Sequence, residues 1–345
     1  MITSTRGNLI EADAEALVNS VNTVGVMGKG IALQFRQAFP ENYRQYARAC
    51  KLGLVNPGEM FVVRTGKLTN PKFIINFPTK RHWKHNSRMS DIESGLVDLV
   101  AQVRQLELRS IALPPLGCGN GGLNWTEVRP KIVKAFDELP HIQVQIFEPV
   151  GAPNPDKMPV ATTRPRMTVG RAALVGALSG YLKPGYRLTL LEINKLMYFL
   201  QQSGENLGLM FAKDKYGPYA ENLNHVLQRV EGHYIRGYGD RTNRGTQIGL
   251  YEDAVSEAVK FLKAKPETRE RLARVSDLIE GFETPYGLEL LATVHWVAAF
   301  EDMLARSDSE HAISGVQAWS KRKREQFEPR HIRKAWDRLR DQDWI

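Results

Sequence analysis

Apolar and polar positions in the first 150 residues alternate between two periods. Short runs rich in β-branched residues at 16–19, 60–63, 73–77, 110–113 and 143–147 have the length and composition of buried strands. Between them, residues 31–39, 92–106 and 126–138 place apolar side chains at helical spacing. Such alternation predicts a largely parallel sheet with helices on both faces, and ligands at the carboxyl ends of its strands. After residue 165 the strand pattern fades, and 190–203, 218–231, 251–264, 266–281, 288–307 and 330–341 all read as helices. A short hairpin rich in Gly, Tyr and Arg is expected around 234–251. Prolines crowd 149–165, where neither a helix nor a central strand can persist. The chain therefore divides into an α/β domain at 1–150, a proline-rich linker at 151–167 and a mainly α-helical domain at 168–345.

Composition narrows the classes. The 345 residues are 42% hydrophobic and 25% charged, as in a globular protein with room for two cores. No run approaches the roughly 18 apolar residues of a membrane span, and Arg6, Glu11 and Asp13 interrupt any signal-peptide core. With only Cys50 and Cys118, a disulfide scaffold and a four-cysteine zinc site are excluded, as in a reducing cytoplasm. The Asn124-Trp125-Thr126 triplet is then an accidental glycosylation signal. A net charge of +9 points to a polyanionic partner. It is spread evenly, with 18 basic against 13 acidic side chains in residues 1–150 and 29 against 25 in the rest. Of two basic clusters, Lys321-Arg322-Lys323-Arg324 reads as a solvated helix face.

Three motifs carry candidate chemistry. Residues 19–32, with Gly25, Gly28, Lys29 and Gly30, form a glycine-rich turn between a buried strand and a helix. Its amides and the helix N-terminus suit a diphosphate, although neither a Walker loop nor a GxGxxG fingerprint is present, and close strand–helix packing explains the glycines equally well. Four glycines between Gly117 and Gly122 follow the strand at 110–113, and can form an anion-binding nest or a plain surface turn. Cys118 within them reads as a packing residue rather than a nucleophile. In Asn76-Phe77-Pro78-Thr79-Lys80, Pro78 is expected to end the strand and deliver Lys80 to the crevice. An amine there can attack an electrophilic sugar carbon if burial or nearby charge lowers its pKa. Arg81, His82, Trp83 and Lys84 offer a stacking and cationic platform for DNA, against the plainer reading of a solvated loop. His82 and His85 lack nearby carboxylates, so no metal is expected, and no Gly-x-Ser-x-Gly elbow supports a serine triad.

Arg6-Gly7-Asn8-Leu9, residues 18–22 and 28–35, Asn76–Lys80 and Pro115–Gly119, in that order, resemble a macrodomain. The resemblance is closest to DarG-type antitoxins, which are related to the human terminal ADP-ribose glycohydrolase. It implies a three-layer α/β/α fold with a mixed, mostly parallel sheet, and a hydrolase that frees ADP-ribose from thymidine bases of single-stranded DNA. It further implies that Asn8 and Leu9 flank the adenine, that Asn22 holds the distal ribose and that Gly28, Lys29, Gly30, Ile31 and Ala32 line the diphosphate and ribose. Gly117, Cys118, Gly119, Asn120 and Gly121 would cover the phosphates, and Lys80 occupies the position of the family's essential lysine. Two departures stand out: Asn8 replaces a common aspartate, and Gly121 replaces the human relative's catalytic aspartate.

Residues 192–199 and Lys215-Tyr216-Gly217-Pro218-Tyr219-Ala220 resemble the toxin-binding region of the same antitoxins, with Tyr216 and Tyr219 as candidate contacts to a DarT-type toxin. No cofactor is implied. The rival reading is a non-catalytic ADP-ribose reader whose helical half recruits partners. A DNA-binding repair adaptor rests on net charge alone.

Overall fold

The computed structural model describes residues 1–149, 158–183, 185–239 and 247–345. Two compact units emerge: one of residues 1–163 together with Gly239, the other beginning at Arg164.

In the first unit, β1 (Ile2–Thr5), β2 (Ala16–Asn22), β3 (Phe61–Arg64), β4 (Phe73–Lys80), β5 (Ser110–Leu113) and β6 (Gln143–Phe147) form one sheet in the order β1-β6-β5-β2-β4-β3. All neighbours are parallel except the edge strand β3, which runs antiparallel to β4. Helices α1 (Gly30–Ala38), α2 (Pro40–Lys51), α3 (Met89–Gln105) and α4 (Trp125–Phe136) complete the unit. One apolar layer joins Val18, Ile75, Ile111 and Val144 to Leu96, Leu99, Val128 and Ile132 of α3 and α4. A second joins Leu17, Ile74 and Ala112 to Phe35 and Phe39. Successive strand residues thus feed opposite cores, the period-2 logic of a sheet covered on both faces. Gly95 lets α3 approach β4: a Cβ there would lie 2.3 Å from the Phe77 ring.

One expectation needs correction here, and two elements carried no signal in the pattern. Pro78 does not end its strand. β4 runs on to Lys80, because β3 pairs only as far as Asn76 and leaves β4 with β2 as its one neighbour, where a missing donor is tolerated. Strand β1 escaped notice because only Ile2 in its four residues is apolar; pairing with β6 defines it. Helix α2 is largely polar, with Tyr46 and Ala49 as its apolar buried contacts.

The unit also extends past the expected boundary at residue 150. Residues 150–157, most of the proline-rich stretch, lie outside the described residues, but Met158 packs against the apolar layer that contains Leu9 and Phe35, and Ala161 N donates to Gln37 O at 2.8 Å.

The second unit is mainly helical: α5 (Val169–Leu182), α6 (Leu190–Gln202), α7 (Leu223–Val230), α8 (Glu252–Leu262), α9 (Pro266–Ile279), α10 (Pro285–Trp296), α11 (Ser309–Trp319), α12 (Lys321–Gln326) and α13 (Pro329–Asp341). Strands β7 (Phe211–Asp214) and β8 (Gly217–Ala220) form a hairpin, so the helix expected from residue 218 begins only at Leu223. Gly217 has φ +84°, a turn conformation that overrides the helix-start signal of Pro218. The hairpin expected at 234–251 is a two-residue pairing of β9 (Ile235–Arg236) with β10 (Gly249–Leu250); residues 240–246 between them lie outside the described residues. Helix α10 stops at Trp296, not 307, and continues as a π-helical turn at Val297–Glu301 and a 3-10 turn at Met303–Arg306.

Candidate functional site

Strands β2, β4 and β5 are neighbours and end at Asn22, Lys80 and Leu113. Because they run parallel, the two glycine-rich loops and the lysine segment leave the sheet from one edge, where an open α/β sheet presents its crevice.

The first loop is organised by Asn22. Its Nδ2 donates to Val26 O at 2.6 Å, and its Oδ1 accepts Val24 N at 3.0 Å and Val26 N at 3.3 Å. From α2 the buried Tyr46 hydroxyl donates to Asn22 O at 2.6 Å, and burial pushes that phenol far above its ordinary pKa. Asn22 therefore shapes the loop through its own amide. At Gly25 a φ of +79° and a Cβ position 3.3 Å from Cys50 explain the glycine. Further on, Gly28 is buried, Lys29 is exposed and extended, and Gly30, Ile31 and Ala32 form the first turn of α1. The Gly30 amide donates to Gly239 O at 2.9 Å.

Lys80 closes the arrangement. Its Nζ donates to the backbone carbonyl of Asn120 in the second loop, and burial holds its pKa below the ordinary lysine value. A Cβ on Gly30 would meet Asn120 Nδ2 at 3.3 Å, so Asn120 approaches the first loop as well. Lysine and both glycine rims thus converge within side-chain reach. Gly117 (φ +70°) and Gly122 (φ +76°) need glycine for their backbone. Gly121 needs it for space, since a Cβ would lie 2.2 Å from Gly117 O. The glycine that replaces an aspartate is thus imposed by this loop conformation. Burial raises the Cys118 thiol to about 11 and its Sγ donates to Leu116 O, which keeps it protonated and unreactive.

Asn8 and Leu9 follow β1, which runs parallel to β6 and so ends at the same edge of the sheet. Leu9 is buried in the α1-side core, while Asn8 caps a 3-10 turn through Ile10 N and places Nδ2 3.7 Å from Met158 Sδ. Beyond Lys80, His82 stacks on Trp83 at 5.5 Å and Lys84 Nζ sits 4.9 Å from the same ring. Arg81 differs from its neighbours: its guanidinium is forked onto the buried Asp91 at 3.0 and 3.2 Å, which ties the segment to α3. Two residues that support the site were absent from the sequence reading. Tyr46 lies on the overlooked helix α2, and Ser87 lies in a polar loop with no local signal. Among the described residues no group of three His, Cys, Asp or Glu side chains converges as a metal site.

In the second unit, Tyr216 is exposed at the tip of the β7–β8 hairpin under Arg322, 4.5 Å from its ring, and the Tyr219 hydroxyl accepts Asn224 Nδ2 at 2.7 Å. Beneath the tip the expected solvated face at 321–324 is corrected. Lys323 is fully buried and donates to Glu289 at 2.8 Å and Thr293 at 3.0 Å, while Arg322 bonds both oxygens of Glu289. Lys195, also buried, donates to Pro218 O at 2.6 Å. Burial, then the charge of Lys323, lowers Lys195 to about 7. The four basic residues fooled the pattern because α12 is only six residues long, and one buried carboxylate pulls its middle inward.

A sheet of this topology with two glycine rims and an amine at its carboxyl edge defines a macrodomain, and the Macro domain family matches residues 18–132. The whole chain is 51% identical over 339 residues to the DNA ADP-ribosyl glycohydrolase of Thermus aquaticus, covering 98% of this chain and 93% of that one. It belongs to the DNA ADP-ribosyl glycohydrolases and is a hydrolase. The solved macrodomain of Thermus aquaticus DarG is 56% identical and covers 43% of this chain and 99% of its own, with a TM-score of 0.42. A DNA ADP-ribosyl transferase–DNA ADP-ribosyl glycohydrolase fusion protein of Thermosipho africanus is 36% identical over 165 residues, 44% of this chain and 42% of that protein.

Proposed function

We propose that the macrodomain removes ADP-ribose from thymidine bases of single-stranded DNA, and that the helical unit neutralises a DarT-type toxin that writes this mark. The observation that carries the first half is the Lys80 amine held at the junction of two glycine loops, with its pKa lowered by burial. The loops hold the diphosphate through backbone amides, and the anomeric carbon then faces Lys80. In one route the neutral amine attacks that carbon: a C–N bond to Nζ forms, the N-glycosidic bond to thymine breaks with its electron pair on the base, and water later hydrolyses the sugar–lysine adduct. In the other, Lys80 polarises the leaving thymine while water attacks. Incubation of the full chain with an ADP-ribosylated thymidine oligonucleotide should release free ADP-ribose and unmodified DNA. Binding without release would favour the non-catalytic reader and overturn the proposal.

His82, Trp83 and Lys84 extend from the reactive end and suit the DNA strand next to the modified base, with Arg81 anchoring the platform. Trp83→Ala is expected to weaken binding of the modified oligonucleotide about tenfold, the scale of one lost base stack, while ADP-ribose binding measured by calorimetry stays unchanged.

The toxin reading is supported by the fusion relative, which carries transferase and glycohydrolase in one chain. It is supported too by the hairpin tip: Arg322 over Tyr216 and Lys195 under Pro218 pre-shape an exposed aromatic, which favours a low-entropy contact. The unit's net positive charge means that any acidic face imitating DNA is local. Tyr216→Ala should abolish binding of the protein to the purified toxin while oligonucleotide hydrolysis persists; unaltered toxin binding would remove Tyr216 from the interface. Both activities place the protein in the cytoplasm with the DNA and the toxin.

A further inference from the structure

The loop that brings Lys80 to the site returns to it at Ser87. Of residues 81–89, Ser87 alone is buried. Its amide donates to Gly121 O at 2.9 Å, so the Lys80 segment and the second glycine loop are joined twice, here and at the Lys80–Asn120 bond. The side chain lies between the two glycines: a Cβ on Gly117 would sit 3.2 Å from Ser87 Oγ, and one on Gly121 would sit 2.3 Å from it. Yet the hydroxyl has no hydrogen-bond partner.

A buried hydroxyl without a partner destabilises the state that contains it, and its retention points to a second state in which the bond is made. The acceptor for that bond is adjacent. Gly117 O and Ser87 Oγ both approach Gly121 from the side a Cβ would occupy. Gly117 O accepts Leu123 N at 3.0 Å, which leaves its second lone pair available. A small outward movement of Gly121, as the loop amides take up a diphosphate, would open the line between hydroxyl and carbonyl.

We propose that Ser87 is a positioning residue whose hydroxyl donates to the Gly117 carbonyl when nucleotide is bound and so holds the phosphate-covering loop closed. The inference rests on the reading that this loop covers the diphosphate. The full-length Ser87→Ala variant is expected to melt no lower than the parent without ligand, because it loses no bond in that state. Its ADP-ribose Kd, by calorimetry, should rise about 5–10-fold, the worth of one hydrogen bond, with KM rising alike and kcat within about twofold. Ser87→Cys, which keeps the volume and offers a weaker donor, should fall between the two. A lowered ligand-free melting temperature with unchanged Kd would show a hydroxyl already satisfied in the resting protein, for instance by water, and would overturn the proposal, as would no effect on either. Failure of the parent protein itself to bind ADP-ribose would instead refute the underlying site.

Discussion

Lys80→Ala is expected to lower turnover of ADP-ribosylated oligonucleotide by about 10²–10⁴-fold, the range that a nucleophile or proton-transfer group supplies. ADP-ribose affinity should stay within about threefold, because Nζ is bonded to the Asn120 carbonyl and the loop amides supply the diphosphate contacts. Lys80→Arg separates the two routes. A guanidinium keeps the charge and cannot lose it, so it preserves activity only if Lys80 works as a cation. The pH profile gives the same answer independently. Burial lowers the Lys80 pKa, so a neutral-amine mechanism predicts a kcat that climbs with pH through that lowered value and then levels. A cationic role predicts the reverse limb, a fall as pH passes the same value. Unchanged turnover in Lys80→Ala would remove the residue from the chemistry altogether.

Glu289→Ala is expected to destabilise the helical unit by about 3–5 kcal/mol, the scale for stripping the partner from buried charge. Glu289 faces Arg322 and Lys323 directly, Lys195 feels its charge, and Asp214 is the other carboxylate that acts on both lysines. Urea unfolding of the full chain would show the second unit's transition move while the macrodomain's stays in place, as expected for independent sites. The pH dependence has a definite sign. Native Lys195 sheds its proton near pH 7, whereas the unfolded chain keeps it to about 10.4. Between those values the unfolded state binds more protons, so stability rises with pH. Glu289 acts at the acid end: its pKa is lowered by Arg322 and Lys323 against burial, so its contribution is present above its unfolded pKa and is lost as pH falls through the lowered native value. In Glu289→Ala the lysines lose that carboxylate, their pKa values drop further, and the alkaline rise should begin at a lower pH. A shift below 1 kcal/mol would mean that water, not Glu289, balances these lysines.

Much of this was legible before any coordinates. Residues 73–77 read as a strand because every one is apolar or buried amide, and the helices at 190–202 and 329–341 announced themselves by period. The glycines at 25, 117 and 122 marked turns, and each adopts a positive φ there. Helix α5 was overlooked for a physical reason: its Ala, Gly, Leu and Val residues are apolar on most sides, so no amphipathic stripe marks it, and its start follows closely on the prolines. The β7–β8 hairpin was hidden because Pro218 is an equally good helix-start residue, and only the turn at Gly217 decides.

What the chain determined alone is local: strand and helix periods, the glycine turns, the lysine at a strand end, and a family resemblance built from such short motifs. Tertiary structure decided the contacts between distant segments. It set Lys80 on Asn120, turned the Asn22 amide into its own loop under Tyr46, wedged Ser87 between Gly117 and Gly121, and drew Lys323 inward to Glu289. Backbone preferences act over a few neighbouring residues and can be read in order. Burial and pairing exist only once remote segments share one interior, where a lone charge or hydroxyl must find its partner across the fold.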